Sequence, residues 1–185
     1  VIKHVKIIIH SYGRVYVNVG PPVFLNAYFA SQPRPFAEMS NDDQQALYRD
    51  VGCRMVSEIN RVAVVTSFSL VAASLLCHAE KEISGELLMA TFAKFYDYLR
   101  HRKVNFASTL AIEKSAMPEV IELFQQWGYL ALKSEGRDKK GKTASYLISE
   151  GRRLNLEYFK NNIIHHLLPI SLVSLSISSC GAGEI

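Results

Sequence analysis

The chain has 185 residues, of which 49% are hydrophobic and 21% charged, with a formal net charge of +4. That is enough apolar chain for a substantial core in one domain or two small ones. The charge is too small for a dedicated nucleic-acid binder, yet it suits a neighbourhood of anionic lipid headgroups or acidic metabolites. Cys53, Cys77 and Cys180 are odd in number, far apart and outside any Cys-x-x-Cys spacing, which argues against a disulfide framework or a zinc knuckle and for a reducing cytosolic setting. Val1 is not followed by a charged segment, an apolar run and a cleavage site. No secretory signal is expected, and the chain reads as beginning mid-protein.

The β-branched runs His4–His10 and Arg14–Val19 predict at least one strand, since Val15, Val17 and Val19 alternate with Tyr16 and Asn18. Gly20-Pro21-Pro22 stops it, because proline cannot donate to a sheet ladder. Phe24, Leu25, Tyr28 and Phe29 then recur at helical spacing before Gln32-Pro33-Arg34-Pro35, which predicts a short docked helix. Ser40 or Asn41, followed by Asp42 and Asp43, supplies a cap and dipole-favourable carboxylates. A helix over 42–60 follows, with Leu47, Val51, Met55, Val56 and Ile59 as its apolar stripe.

Between Arg61 and His78 there is no charged residue. The run is shorter than the roughly 20 residues of a membrane span and is diluted by Thr66, Ser67, Ser69 and Ser74, so it reads as a buried core helix over about 67–78, with an interfacial or membrane-inserted helix as the alternative. A third helix begins near Ser84 with Leu88, Phe92, Phe95 and Leu99 on one face. Pro118 and Gly128 bracket another, with Val120, Ile121, Phe124 and Trp127 facing one way. Tyr129–Lys133 and Thr143–Ile148 flank a charged, glycine-punctuated loop and predict a β-hairpin. The expected fold is therefore mainly α with minor β: N-terminal strand or strands, a helical bundle, and a winged-helix-like helix plus β-hairpin at 82–150.

From Leu154 to Pro169 an apolar helical pattern is interrupted by Asn161-Asn162 and His165-His166. A buried amide or imidazole without a partner costs about 1–3 kcal/mol. The segment is thus a satisfied core helix, a site, or a surface for another part of a larger protein. A second apolar stretch, Leu167 to Ile177, contains Pro169.

Few residues offer chemistry. Lys133, Arg137, Lys139, Lys140 and Lys142 would meet phosphates as a wing does, but the exposed face of 118–128 carries Glu119, Glu122, Gln125 and Gln126, and its carboxylates repel a nucleic-acid backbone. No phosphate-cradling loop of Walker spacing and no Gly-x-Ser-x-Gly elbow is present. His4, His10, His78, His101, His165 and His166 show no metal-ligand spacing with a carboxylate or cysteine. Adjacent His165 and His166 are expected on different helix faces, about 100° apart.

Tyr158-Phe-Lys-Asn-Asn-Ile-Ile-His165, with Pro169 after it, resembles a signature in the carboxy-terminal region of the membrane-associated glycerol-3-phosphate and dihydroxyacetone-phosphate acyltransferases. Val15-Tyr-Val-Asn-Val-Gly-Pro-Pro22 resembles that family's Val-Asn-Phe-Gly-Glu-Pro strand end, with Val19 for the usual Phe and Pro21 for the usual Glu. Ile59-Asn-Arg-Val-Ala-Val-Val-Thr-Ser67 resembles its post-catalytic helix pair, so the likeness runs to about Ile177. It marks Asn18, Gly20, Asn60, Arg61, Tyr158, Asn161, Asn162 and His165 as a structural signature.

The resemblance implies a protein that transfers a fatty acyl group from an acyl-CoA or acyl carrier protein thioester to glycerol 3-phosphate in phospholipid synthesis, without a further cofactor. Dihydroxyacetone phosphate is the alternative acceptor, and a winged-helix nucleic-acid-binding regulator is the alternative of another class. The family's chemistry uses a His and an Asp separated by four residues, the imidazole as general base. The positions five on from each histidine here are Ile9, Val15, Ile83, Phe106, Ile170 and Ser171. No catalytic or substrate-binding residue carries over, and the chain by itself is expected to be inactive. The resemblance further implies that 1–35 is a strand remnant and linker of an upstream acyltransferase domain, that 36–180 is a helical C-terminal domain, and that 178–185 is a disordered tail. The implied partners are that catalytic domain and a peripheral membrane surface, at the cytoplasmic face.

Overall fold

The computed structural model describes residues 15–112, 116–138 and 141–180, without the side chains of 111–112, 134–138 and 141–143. The predicted strand at His4–His10 lies outside the described residues. The fold is mainly α with minor β. Its elements are α1 (Leu25–Ala30), α2 (Asn41–Val62), β1 (Val64–Val65), α3 (Ser67–Leu76), β2 (Glu82–Ser84), α4 (Gly85–His101), β3 (Asn105–Phe106), α5 (Ser108–Ile112), α6 (Ala116–Gln126), β4 (Leu130–Asp138), β5 (Gly141–Ile148), α7 (Arg153–Asn161) and α8 (Ile164–Cys180).

The core is built around α3. Thr66 caps it, its hydroxyl accepting from the Ser69 N–H at 3.2 Å. Every residue of α3 except Phe68 is buried, as the uncharged run predicts. Ser74 escapes the cost of burial because its hydroxyl donates to the Leu70 carbonyl at 2.8 Å. Helix α7 packs along α3 and contributes Leu156 and Phe159 to the core. Fully buried Phe124 lies at ring-centroid distances of 5.8 Å from Phe68, 5.8 Å from Tyr129 and 5.5 Å from Phe159.

Helix α6 stops where glycine permits it. Gly128 sits at φ +70°, its N–H bonds the Gln125 carbonyl at 2.9 Å, and the Tyr129 N–H bonds the Phe124 carbonyl at 2.7 Å. This paired closure satisfies two of the orphan carbonyls at the helix end and turns Tyr129 back onto Phe124. The chain then enters the hairpin, and β2 adds to it as a third strand in the antiparallel order β2-β5-β4. Strand β2, helices α4, α5 and α6, and the hairpin thus follow one another within 82–150. The strands pair through the segment read as a loop, up to Asp138 opposite Gly141. A second, two-stranded parallel pairing joins β1 to β3.

Four sequence expectations are corrected. Residues 15–24 form no strand: a strand exists by pairing, and no partner for this segment lies among the described residues. The predicted alternation is present with the opposite sense, because Tyr16 packs on the core while Val15, Val17 and Val19 are 86%, 80% and 91% exposed. Helix α2 forms as expected, with Ser40 as its cap, but only Leu47 of its apolar stripe is buried, and Met55, Val56 and Ile59 are exposed. Leu47 lies outside the main core cluster; the N-terminal half of α2 packs instead on the Pro-bounded segment, where Phe36 lies 5.7 Å from Phe29 and 5.9 Å from Tyr48.

The pattern from Leu154 to Pro169 is not one helix: it breaks at Asn162-Ile163, and α7 and α8 meet at 96°. The bend lets both Leu156 and Ile163 be fully buried. Finally, α8 continues through Cys180, three residues into the expected tail. The remainder of that tail, 181–185, lies outside the described residues. Among the described residues no single helix is long and apolar enough to cross a membrane.

Urea denaturation of the chain should separate these environments. Leu70→Ala, at a fully buried position, should cost about 2–5 kcal/mol, and exposed Met55→Ala no more than about 0.5 kcal/mol. Gly128→Ala meets nothing within 4 Å, so its cost of about 1–2 kcal/mol is conformational alone.

Candidate functional site

The last four carbonyls of a helix have no intrahelical partner, and α2 ends without glycine: Ala63 turns the chain at φ −56°, ψ 145°. Three side chains from three distant segments donate to carbonyls of the last turn, of which the Asn60 carbonyl also accepts the Ala63 N–H at 3.3 Å. Asn18 Nδ2 donates to the Val62 carbonyl at 3.0 Å. Asn105 Nδ2 donates to the Arg61 carbonyl at 3.3 Å, and His165 Nε2 to the Asn60 carbonyl at 3.2 Å. The N-terminal extended segment, β3 and the first turn of α8 therefore converge on one helix end. A Cβ on Gly20 would lie 3.3 Å from Val62 Cγ1, so this residue too belongs to the close approach. Tyr16 reaches the same region, its hydroxyl 3.4 Å from Ser108 Oγ.

The imidazole chemistry follows from that geometry. A carbonyl only accepts, so His165 must carry its proton on Nε2. The bond favours the charged ring, but burial outweighs it and the His165 pKa lies below the ordinary histidine value. His166, expected on another helix face, instead places its ring 3.9 Å from that of His165, the two planes tilted by 47°; side chains at the start of a helix lean together despite divergent Cβ directions. Burial, then the neighbouring His165 and Arg102 charges, push its pKa down to about 4. Its Nε2 is buried with no hydrogen-bond partner among the described residues. The Tyr98 hydroxyl donates to the His166 carbonyl at 3.4 Å, tying the end of α4 to the same junction.

Of the signature residues, Asn18, Gly20, Asn60, Arg61 and His165 meet here. Arg61 takes part through its carbonyl, while its guanidinium pairs with Glu58 at 2.8 Å. Tyr158, Asn161 and Asn162 do not join them: all three are exposed on and after the last turns of α7. The amides are therefore not the buried polar groups that the sequence pattern suggests. Asn105, Tyr98 and Ser108 were not foreseen. An asparagine directly before Phe106 and beyond a helix end is the one local sign of Asn105.

Chemically the junction joins segments. The Asn18, Asn105 and His165 donors are occupied by backbone carbonyls, and neither imidazole has a carboxylate partner among the described residues. No group of three His, Cys, Asp or Glu side chains among the described residues is arranged to hold a metal ion. Lys133, one of the five candidate phosphate-contacting cations, bonds Glu82 at 2.5 Å. The side chains of Arg137, Lys139, Lys140 and Lys142 lie outside the described residues.

Loss of His165 in His165→Ala should cost about 1 kcal/mol, with partial recovery in His165→Gln, whose amide still donates; thermal melts at pH 7.5 read this. Both imidazoles are held neutral in the fold, whereas in the unfolded chain they protonate near pH 6.5. Between about pH 6.5 and 4 the unfolded state binds more protons, so stability is full above that window and declines as pH falls through it. His166→Phe should flatten the fall, as melts at pH 7.5 and 5 would register.

Comparison with known proteins bears on this arrangement. A family described as the glycerol-3-phosphate acyltransferase C-terminal region matches residues 1–184. Proteins named glycerol-3-phosphate acyltransferase from Aeromonas hydrophila and Actinobacillus succinogenes are each 25% identical, over 93% and 90% of this chain. One from Shewanella loihica is 25% identical over 95% of it. The chain spans 21%, 20% and 22% of the length of these relatives. No solved structure matches. A match to nearly every residue places this chain in the glycerol-3-phosphate acyltransferase C-terminal-region family.

Proposed function

We propose that this chain serves as the carboxy-terminal part of a glycerol 3-phosphate 1-O-acyltransferase, holding its catalytic portion against a membrane at the cytoplasmic face. The catalytic portion takes the fatty acyl group from acyl-CoA or acyl carrier protein and places it on glycerol 3-phosphate. The chain itself contributes no acid–base pair, since no histidine is followed at five positions by aspartate.

The observation that carries the docking role is the paired exposure of Val15, Val17 and Val19 with Tyr48, Met55, Val56 and Ile59. The α2 residues recur at i, i+7, i+8 and i+11 and lie on one face, and an exposed apolar face of this kind is characteristic of a protein interface. The Asn18 and His165 bonds fix the end of α2 beside the valine row, so both surfaces are offered to one partner.

Co-expression of this chain with the upstream portion of a full-length relative tests the reading. The two should co-purify and support acyl transfer from a thioester to glycerol 3-phosphate, and Val17→Asp with Ile59→Asp should lower both at least tenfold. Transfer to dihydroxyacetone phosphate alone would change the acceptor. Acyl transfer by the purified 185-residue chain would overturn the supporting role.

A further inference from the structure

Beyond its first turn, α8 is an unusual helix to find uncovered. From Ile164 to Cys180 it carries no Asp, Glu, Lys or Arg. Leu167 is buried, but every residue from Leu168 to Cys180 is exposed, among them Leu168, Ile170, Leu172, Val173, Leu175 and Ile177. These do not form a stripe. At about 100° per residue they span roughly 220° of the circumference, from Leu175 through Leu172 and Val173 to Ile170, and Ser171, Ser174 and Ser178 occupy the rest. A partner protein covers one face of a helix, whereas an apolar arc this wide, backed only by serines, calls for an apolar medium around most of the helix.

Three of its five serines are also arranged for such a medium. The hydroxyls of Ser171, Ser176 and Ser179 donate to the carbonyls of Leu167, Leu172 and Leu175 at 2.9, 3.0 and 2.8 Å. Serines that bond within their own helix leave no donor in need of water. At the foot of the helix the character changes: Arg102 lies close enough to act on His166, and both Arg102 and Lys103 are exposed. An apolar shaft above a cationic foot is complementary to hydrocarbon above anionic headgroups.

We propose that residues 168–180 of α8 insert into a lipid bilayer from one side, with Arg102 and Lys103 at headgroup level. At about 1.5 Å per residue the segment reaches roughly 20 Å, about two thirds of the roughly 30 Å hydrocarbon core. The bend of 96° at Asn162-Ile163 carries this shaft away from α7, which stays packed on α3. The apolar run that lies in α3 is ruled out as the lipid contact by its burial in the core. The inference deepens the membrane placement proposed above, but its readout requires no acyl transfer, so it fails or stands apart from the enzymatic reading.

The test uses the 185-residue chain with zwitterionic vesicles and with vesicles containing added anionic lipid. The chain should float with both, more strongly with the anionic ones. Leu172→Glu with Leu175→Glu should leave circular dichroism unchanged and lower flotation at least tenfold. In Val173→Trp, fluorescence should be quenched by lipids brominated along the acyl chain. No flotation, unchanged flotation of the double variant, or absent quenching would overturn insertion. Binding confined to anionic vesicles and abolished by salt would also overturn it, in favour of adsorption. A dimer broken by the double variant without vesicle binding would assign the helix to a second copy instead.

Discussion

The end of one helix organises how the parts of this molecule hold together. Helix α2 runs 22 residues, yet it shares little apolar contact with the core, and its single buried side chain, Leu47, lies outside the main cluster. What joins it to the body is the set of hydrogen bonds from Asn18, Asn105 and His165 to the carbonyls of Val62, Arg61 and Asn60. A glycine cap would have satisfied such carbonyls locally. Using distant side chains instead makes the direction of α2 depend on three other segments being in place.

The rest of the structure supplies those segments with fixed positions. Asn105 is held by the parallel pairing of β3 with β1 and by the Ala107 N–H bond to the Val65 carbonyl at 2.9 Å. His165 is held because Ile163 and Leu167 on either side of it are buried. Both anchors trace back to α3, which fills the centre of the core and against which α7 packs. Burial of α3 thus has a consequence beyond stability: it sets the geometry of a junction some distance away. The price is the imidazole pair, whose rings are kept neutral by the same burial that positions them.

Two surfaces remain apolar after this core is complete, and they differ in kind. The valine row with α2 is one-sided, and such a face fits a folded partner. The shaft of α8 is apolar over most of its circumference and uncharged throughout. The sequence pattern distinguishes neither from ordinary core, since Met55 and Leu172 look like any other apolar residue on a helix.

What the sequence determined by itself was local. Ser40, Ser84 and Gly128 mark helix ends, the alternation and spacing of apolar residues mark most elements, and the absence of charge between Arg61 and His78 marks the core helix. These features are legible because capping, propensity and periodicity act over a few residues. The resemblance carried by Asn18, Asn60 and His165 was also readable, but not why those residues matter. Tertiary structure alone decided that the amide of Asn18 and the ring of His165 meet the same helix end, that Asn161 and Asn162 stay in water, and that Val15, Val17 and Val19 face outward. Each outcome depends on which groups arrive from far along the chain, and periodicity gives the spacing of a face without giving what covers it.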